Sequence, residues 1–179
     1  INGEWKDSEQ QLDIYSPIDN SHIGKTAAMS QQDIDEVTKV AQTAQITWQD
    51  VPLREKADLL YKTAALLEER IDTIAEIMMW EIAKSLNDAR TEVLRTADLL
   101  RYTADVGVEQ QGEILTGGSF DAKTESKRAF VERVPLGVVL AIVPFNYPIN
   151  LAASKIGPAL IAGNTVIVKP ASQGAMSTL

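Results

Sequence analysis

Three groups of residues in this chain have the types and spacing to do chemistry. Asn146 and Tyr147 follow the aliphatic run from Gly137 to Val143, Lys169 and Ser172 follow the run from Thr165 to Val168, and Arg95 stands in the segment Glu92-Val93-Leu94-Arg95-Thr96-Ala97. An asparagine amide at the start of a helix can donate N–H groups into a cleft where the helix terminus adds positive potential, which suits a developing oxyanion. Asparagine is also a preferred N-cap, a structural role for which Asn150 is the better placed of the two, so both readings of Asn146 stand on the residues alone. Tyr147 can line a ligand site or pack. A lysine directly after a buried strand needs an anion or a ribose hydroxyl beside it. Arg95 shares a helical face with Leu99, Tyr102 and Val106. A guanidinium on such a stripe must snorkel, pair with a carboxylate such as Glu92, or bind an anion.

The elements that must position these residues can be read from periodicity and end signals. Gly137 to Val143 is a nearly unbroken β-branched and aliphatic run, as expected of a parallel strand buried on both faces, and Pro144 ends it. Ile149 to Ala162 carries Leu151, Ile156, Ala159, Leu160 and Ala162 at helical spacing, and Gly163-Asn164 supplies a stop. Thr165 to Val168 is a second buried strand. Two strands joined by a helix are parallel with a right-handed crossover, so the unit opens an α/β sheet whose ligands sit at the strand carboxyl ends. The dinucleotide fingerprint glycines are absent from it.

Upstream, Ile1 to Trp5 and Leu12 to Tyr15 read as short strands, with Asn2-Gly3 and Pro17-Ile18-Asp19-Asn20 as turns. Ser30 and Asp33 form a capping-box variant opening a helix through Ile34, Val37, Val40, Ala41 and Ala44 to about Trp48. Pro52 starts a second helix, with Ala57, Leu60, Tyr61, Ala64 and Leu67 on one side until Glu69-Arg70. Ile71 to Ala83 forms a third, with Ile74, Ile77, Met78 and Ile82 inward and Trp80 in the core. A fourth runs from about Leu86 to Gln111, where Arg90 and Arg101 are surface charges. Gly112 to Phe120 reads as a glycine-rich bend; no strand precedes Gly117-Gly118, so a plain loop is favoured over a phosphate cradle. Asp121 to Lys127 is a charged turn, and Arg128 to Val134 alternates as an antiparallel strand.

Composition narrows the classes. The 179 residues are 45% hydrophobic, as in an ordinary globular domain, and the formal charge of -8 disfavours nucleic acid and anionic membrane surfaces. No apolar segment approaches the ~20 residues of a membrane span, and no signal-peptide pattern opens the chain, so a cytoplasmic location is expected. With no cysteine and a single histidine, His22, neither a disulfide nor a thiolate or multi-histidine metal site is expected.

Pro144-Phe145-Asn146-Tyr147-Pro148 and Val168-Lys169-Pro170-Ala171-Ser172-Gln173 resemble the aldehyde dehydrogenase superfamily. The finer wording resembles its NADP-dependent, non-phosphorylating glyceraldehyde-3-phosphate dehydrogenase branch, supported by Asn2-Gly3-Glu4-Trp5, by Glu92 to Ala97 and by Gly112 to Phe120. The resemblance implies an α/β chain that is the N-terminal part of that fold. Residues 1–112 would be a hairpin and helices of the cofactor-binding domain, 113–137 an antiparallel oligomerisation β-flap, and 138–179 the start of an open, parallel Rossmann-like sheet. It further implies that Asn146 forms the oxyanion hole, Tyr147 lines the aldehyde site, Arg95 holds the substrate phosphate and Lys169 meets the adenosine ribose.

NAD-preferring relatives often carry a glutamate at the position of Ser172, whose neutral hydroxyl here implies NADP. Val143 stands where the branch carries serine; the family's cofactor contact there is largely through the backbone carbonyl, so the resemblance implies the same contact for Val143. The family's cysteine nucleophile and glutamate base fall beyond the point matching Leu179, so the 179 residues alone are expected to be inactive. A homotetramer acting on a phosphorylated aldehyde is the implied assembly. The alternatives are another aldehyde, such as succinate semialdehyde or lactaldehyde, and a non-catalytic module for nucleotide binding or oligomerisation.

Overall fold

The structure, a computed structural model, describes residues 1, 3–110, 112–119 and 121–179. The expected roles of Asn2 in a turn, Gln111 at a helix end and Phe120 in a bend lie outside the described residues. Two strands, β1 (Gln11–Tyr15) and β2 (His22–Ala27), form an antiparallel hairpin. In place of the strand expected at Ile1 to Trp5, the described residues 1 and 3–5 are turn and coil: the Glu4 N–H donates to the Ile1 carbonyl at 3.0 Å, and Gly3 has φ 78°. The hairpin partner lies downstream, across the Pro17 to Asn20 turn.

Four helices follow. In α1 (Gln31–Trp48) the Ser30 side chain accepts from the Asp33 N–H, and the Asp33 carboxylate accepts from the Ser30 N–H, completing the expected capping box. Pro52 is the N-cap of α2 (Leu53–Glu69). The third helix, α3 (Ile71–Ile82), ends where Ala83 takes a left-handed conformation, φ 54° and ψ 32°. Ser85 then caps α4 (Leu86–Glu109) by accepting from the Asp88 N–H at 3.1 Å. Next, β3 (Glu113–Thr116) and β4 (Arg128–Val131) pair antiparallel. The stretch expected to be only a bend thus contains a strand, because the Arg128 to Val131 alternation supplies its partner. Gly117 is required there: a Cβ at that position would sit 1.6 Å from the Thr124 carbonyl oxygen. Last come β5 (Val138–Ile142), α5 (Pro148–Ile161), β6 (Thr165–Lys169) and the short α6 (Ala175–Thr178). β5 and β6 pair in parallel, Val138 opposite Thr165 through Ile142 opposite Lys169, which is the expected strand-helix-strand unit.

The core sits between helices. Ala57, Leu60 and Ala64 of α2, Ala97, Leu100 and Ala104 of α4, and Ala153 and Ile161 of α5 form one cluster. Ala75 and Met78 of α3, Ala89 and Val93 of α4, and Ile149 of α5 form another. Met78 is fully buried, a burial that contributes roughly 1.5–3 kcal/mol, whereas Trp80 remains 37% exposed instead of entering the core. The inward stripe of α4 is not the one its large residues suggest. Ala89, Val93, Ala97, Leu100, Ala104 and Gly107 are buried, while Arg95 and Tyr102 are exposed. In α5 the buried positions include Ala152, Ala153, Gly157, Ala159 and Ile161, while Leu151, Ile156 and Leu160 are half-buried and Ala162 is exposed. Small residues win these faces because they let helix backbones approach. A Cβ on Gly107 would meet Ile161 at 2.2 Å, and one on Gly157 would meet Leu100 at 3.2 Å.

The open sheet differs from the expectation of burial on both faces. Ala141 and Val143 are buried, but Leu140 and Ile142 on the other face are 60% and 58% exposed. α1 packs against the start of β6, where the Thr165 hydroxyl donates to the Ala41 carbonyl at 3.0 Å and the Gln45 side chain accepts from the Thr165 N–H at 2.7 Å.

Two expected outcomes follow from this packing. Gly107→Ala gains helix propensity of ~1 kcal/mol but overpacks against Ile161, so urea unfolding should show net destabilisation on the order of 1–3 kcal/mol. On the surface, Arg101 binds Glu68 through two N–H groups at 2.6 and 2.5 Å, and this bond holds the Glu68 carboxyl below its ordinary value of 4.5. A lowered carboxylate stabilises the fold above the ordinary value and loses that contribution as pH falls through the folded one. The Tm gap between wild type and Glu68→Gln should therefore be open at pH 7 and close progressively below pH 4.5.

Candidate functional site

The parallel pairing of β5 and β6 brings the predicted residues to one edge. The Val143 N–H donates to the Lys169 carbonyl at 3.1 Å, so the chain leaves both strands side by side. The segments beyond stay in contact, since a Cβ on Gly174 would lie 3.3 Å from the Cβ of Phe145 and 3.5 Å from that of Pro148. Phe145, Asn146, Tyr147, Lys169 and Ser172 are all exposed along this edge. Among the described residues the Lys169 ammonium donates only to its neighbour's carbonyl, Pro170 O at 3.3 Å, which leaves it available to an anion. Val143 is buried at 4% exposure.

Neither asparagine is the cap of α5; Tyr147 holds that position, with no side-chain hydrogen bond. Asn150 lies inside the first turn, its Nδ2 donating to Thr96 Oγ1 at 3.3 Å. Capping is done from another helix. Glu92 of α4, 1% exposed, accepts from the Ile149 and Asn150 N–H groups at 3.2 and 3.1 Å. The Asn146 side chain enters none of the hydrogen bonds found among the described residues, and its backbone carbonyl accepts from Lys84 Nζ at 2.9 Å. The residue is therefore anchored by its main chain while its amide is free for a ligand.

Arg95 also departs from the expected setting. It sits on the exposed side of α4, one turn along from Glu92, and belongs to none of the ion pairs among the described residues. The pairing with Glu92 considered for it is taken by Lys84. Arg90 and Arg101 are surface charges as expected, paired with Asp72 and Glu68. The described residues contain no group of three or more histidine, cysteine or acidic side chains arranged to hold a metal. Among them no helix is long and apolar enough to cross a membrane.

The geometry is that of a ligand edge at the carboxyl ends of parallel strands, without a phosphate-binding glycine loop. A model described as the aldehyde dehydrogenase family matches residues 5–179. The chain belongs to the aldehyde dehydrogenase family. The NADP-dependent glyceraldehyde-3-phosphate dehydrogenase of Streptococcus equinus is 47% identical over 179 residues, covering all of this chain and 38% of that protein. The protein of the same name from Nicotiana plumbaginifolia is 46% identical, covering 99% of this chain and 36% of its own length. The crystal structure of NADP-dependent glyceraldehyde-3-phosphate dehydrogenase from Bacillus halodurans C-125 complexed with NADP matches with a TM-score of 0.96 and 48% identity, over 99% of this chain and 38% of that one. The chain thus spans well under half the length of these relatives, and its α/β architecture is a segment of the aldehyde dehydrogenase fold.

Four further residues support the edge in roles that the sequence did not reveal: Lys84, Glu92, Glu81 and Gln173. Glu81 of α3 is fully buried and accepts from the Met176 N–H at 2.7 Å, the Ser177 N–H at 2.9 Å and the Ser177 hydroxyl at 2.8 Å, while Gln173 donates to the Glu81 carbonyl. The usable signal was a carboxylate on the helix face that carries Ala75 and Met78, because a charged group on an apolar face must find donors. Glu81→Gln replaces one acceptor oxygen by an NH2 that faces donors. Urea unfolding of the full-length protein should show a loss of ~1–3 kcal/mol.

Proposed function

We propose that this chain is part of an NADP-dependent aldehyde dehydrogenase that oxidises glyceraldehyde 3-phosphate to 3-phosphoglycerate without phosphorylation. The observation that carries this reading is the free Asn146 amide, held by its main chain at the N-terminus of α5, where β5 ends next to the strand that leads into the exposed Lys169 and Ser172. Asn146 would donate its Nδ2–H to the aldehyde oxygen as negative charge develops there, aided by the helix terminus. Tyr147 would border the aldehyde, and Arg95 would bind the substrate phosphate. The cofactor fits the residues present: the Lys169 ammonium is free to meet the adenosine ribose, Ser172 puts a neutral hydroxyl where a carboxylate would repel a 2′-phosphate, and Val143 offers its backbone carbonyl. When bound, NADP supplies the hydride acceptor. The antiparallel β3–β4 ribbon, whose Ile114 and Phe130 are 64% and 74% exposed, would serve as an oligomerisation flap in a cytoplasmic homotetramer.

The test uses the full-length enzyme. Arg95→Met should raise KM for glyceraldehyde 3-phosphate by about ten- to hundredfold, as expected for losing a charged hydrogen bond of ~1.5–3 kcal/mol, with little change for an unphosphorylated aldehyde. Equal losses on both substrates would remove Arg95 as the phosphate ligand and favour another aldehyde, such as succinate semialdehyde or lactaldehyde. Ser172→Glu should move preference from NADP toward NAD; an unchanged ratio of kcat/KM values would exclude Ser172 from cofactor choice.

A further inference from the structure

The turn that carries Asn146 is held by a lysine with three attachments. Lys84 stands between α3 and α4 with its side chain 11% exposed. Its ammonium pairs with Glu92, donates to the Asn146 carbonyl at 2.9 Å, and lies 3.8 Å from the centroid of the Tyr147 ring. Glu92, whose side chain is fully buried, uses its other oxygen for the Ile149 and Asn150 N–H groups. The Asn146 carbonyl and the Ile149 and Asn150 N–H groups are thereby all tied to the Lys84–Glu92 pair. The preceding residue, Ala83, is held at φ 54°, a left-handed conformation that a residue with a Cβ adopts at some cost. The surroundings therefore impose the bend that delivers Lys84 to this place.

We propose that Lys84, fixed by Glu92, is a positioning residue that sets the Asn146 amide for transition-state binding. This rests on the reading of Asn146 as the oxyanion donor. A carbonyl pinned by an ammonium cannot rotate with its peptide, so the side chain departs from a fixed Cα and its N–H groups need no reorganisation when charge develops on the substrate oxygen. The ring contact acts in the same direction, because a cation over the Tyr147 face restrains the residue that caps α5. The Lys84–Glu92 pair that anchors both contacts is itself buried, which strengthens it relative to a pair in water.

The experiment is a double-mutant cycle on kcat in the full-length enzyme, with glyceraldehyde 3-phosphate and NADP. Asn146→Ala should lower kcat by roughly 10²- to 10³-fold, as for the loss of an oxyanion donor. Lys84→Met should lower kcat by about 10- to 100-fold through misplacement, with the Kd for NADP unchanged by fluorescence titration and partial recovery in Lys84→Arg. In the Asn146→Ala background Lys84→Met should cost little more, because there is no amide left to misplace. A Lys84→Met loss that persists in that background, or a Lys84→Met enzyme with wild-type kcat, overturns the positioning role while leaving Asn146 in place. An Asn146→Ala enzyme with wild-type kcat overturns the oxyanion reading, and the positioning role with it. If Lys84→Met does not accumulate because Glu92 is left buried without its cation, Lys84→Met/Glu92→Gln removes both charges and is read by the same cycle.

Discussion

Two buried carboxylates hold this structure to its purpose. Glu81 near the end of α3 and Glu92 near the start of α4 reach across to the chain just beyond β6 and β5, and each accepts the backbone N–H groups of a helix start. A helix N-terminus carries unpaired donors and positive potential, so a carboxylate there satisfies hydrogen bonds and charge together. The same groups would be costly in an apolar core without those donors. Sheet and helical layer are thus locked in register at the strand ends where ligand chemistry belongs.

That lock depends on close helix packing. Gly107 against Ile161 and Gly157 against Leu100 bring α4 and α5 together, and the alanines of α2, α4 and α5 fill the space between. With bulkier residues on these faces, Glu92 could not reach the Ile149 and Asn150 amides at 3.2 and 3.1 Å. The larger side chains are displaced to the flanks, which is why Tyr102 is 67% exposed. The exposed Leu140 and Ile142 belong to the other side of the two-stranded parallel sheet, away from this support.

The edge itself divides into groups that are used up and groups that are free. Lys84, Glu92, Asn150 and Thr96 are spent on one another and on the backbone. Asn146 and Ser172 are exposed, and among the described residues Lys169 reaches only its neighbour's carbonyl. The division leaves free side-chain donors on a main chain that its neighbours hold in place, the arrangement required of the site proposed above.

By itself the sequence determined the elements and where most of them end. Ser30 with Asp33, Pro52, the aliphatic run before Pro144 and the Gly163-Asn164 stop act within a few residues, so α1, α2, β5, α5 and β6 were legible from local chemistry. The placement of Asn146, Lys169 and Ser172 just beyond strand ends was legible too, because it follows from where the aliphatic runs stop. Only the tertiary structure decided which faces are buried and who pairs with whom. Arg95 lost Glu92 to Lys84, β1 paired with β2 and not with the first residues, and α5 took its cap from another helix. Lys84 and Asn146 are 62 residues apart, and Glu81 and Ser177 are 96. Periodicity describes one element at a time, whereas the partner of a buried charge depends on how closely two helices approach, which here is set by glycines and alanines that carry no pattern of their own.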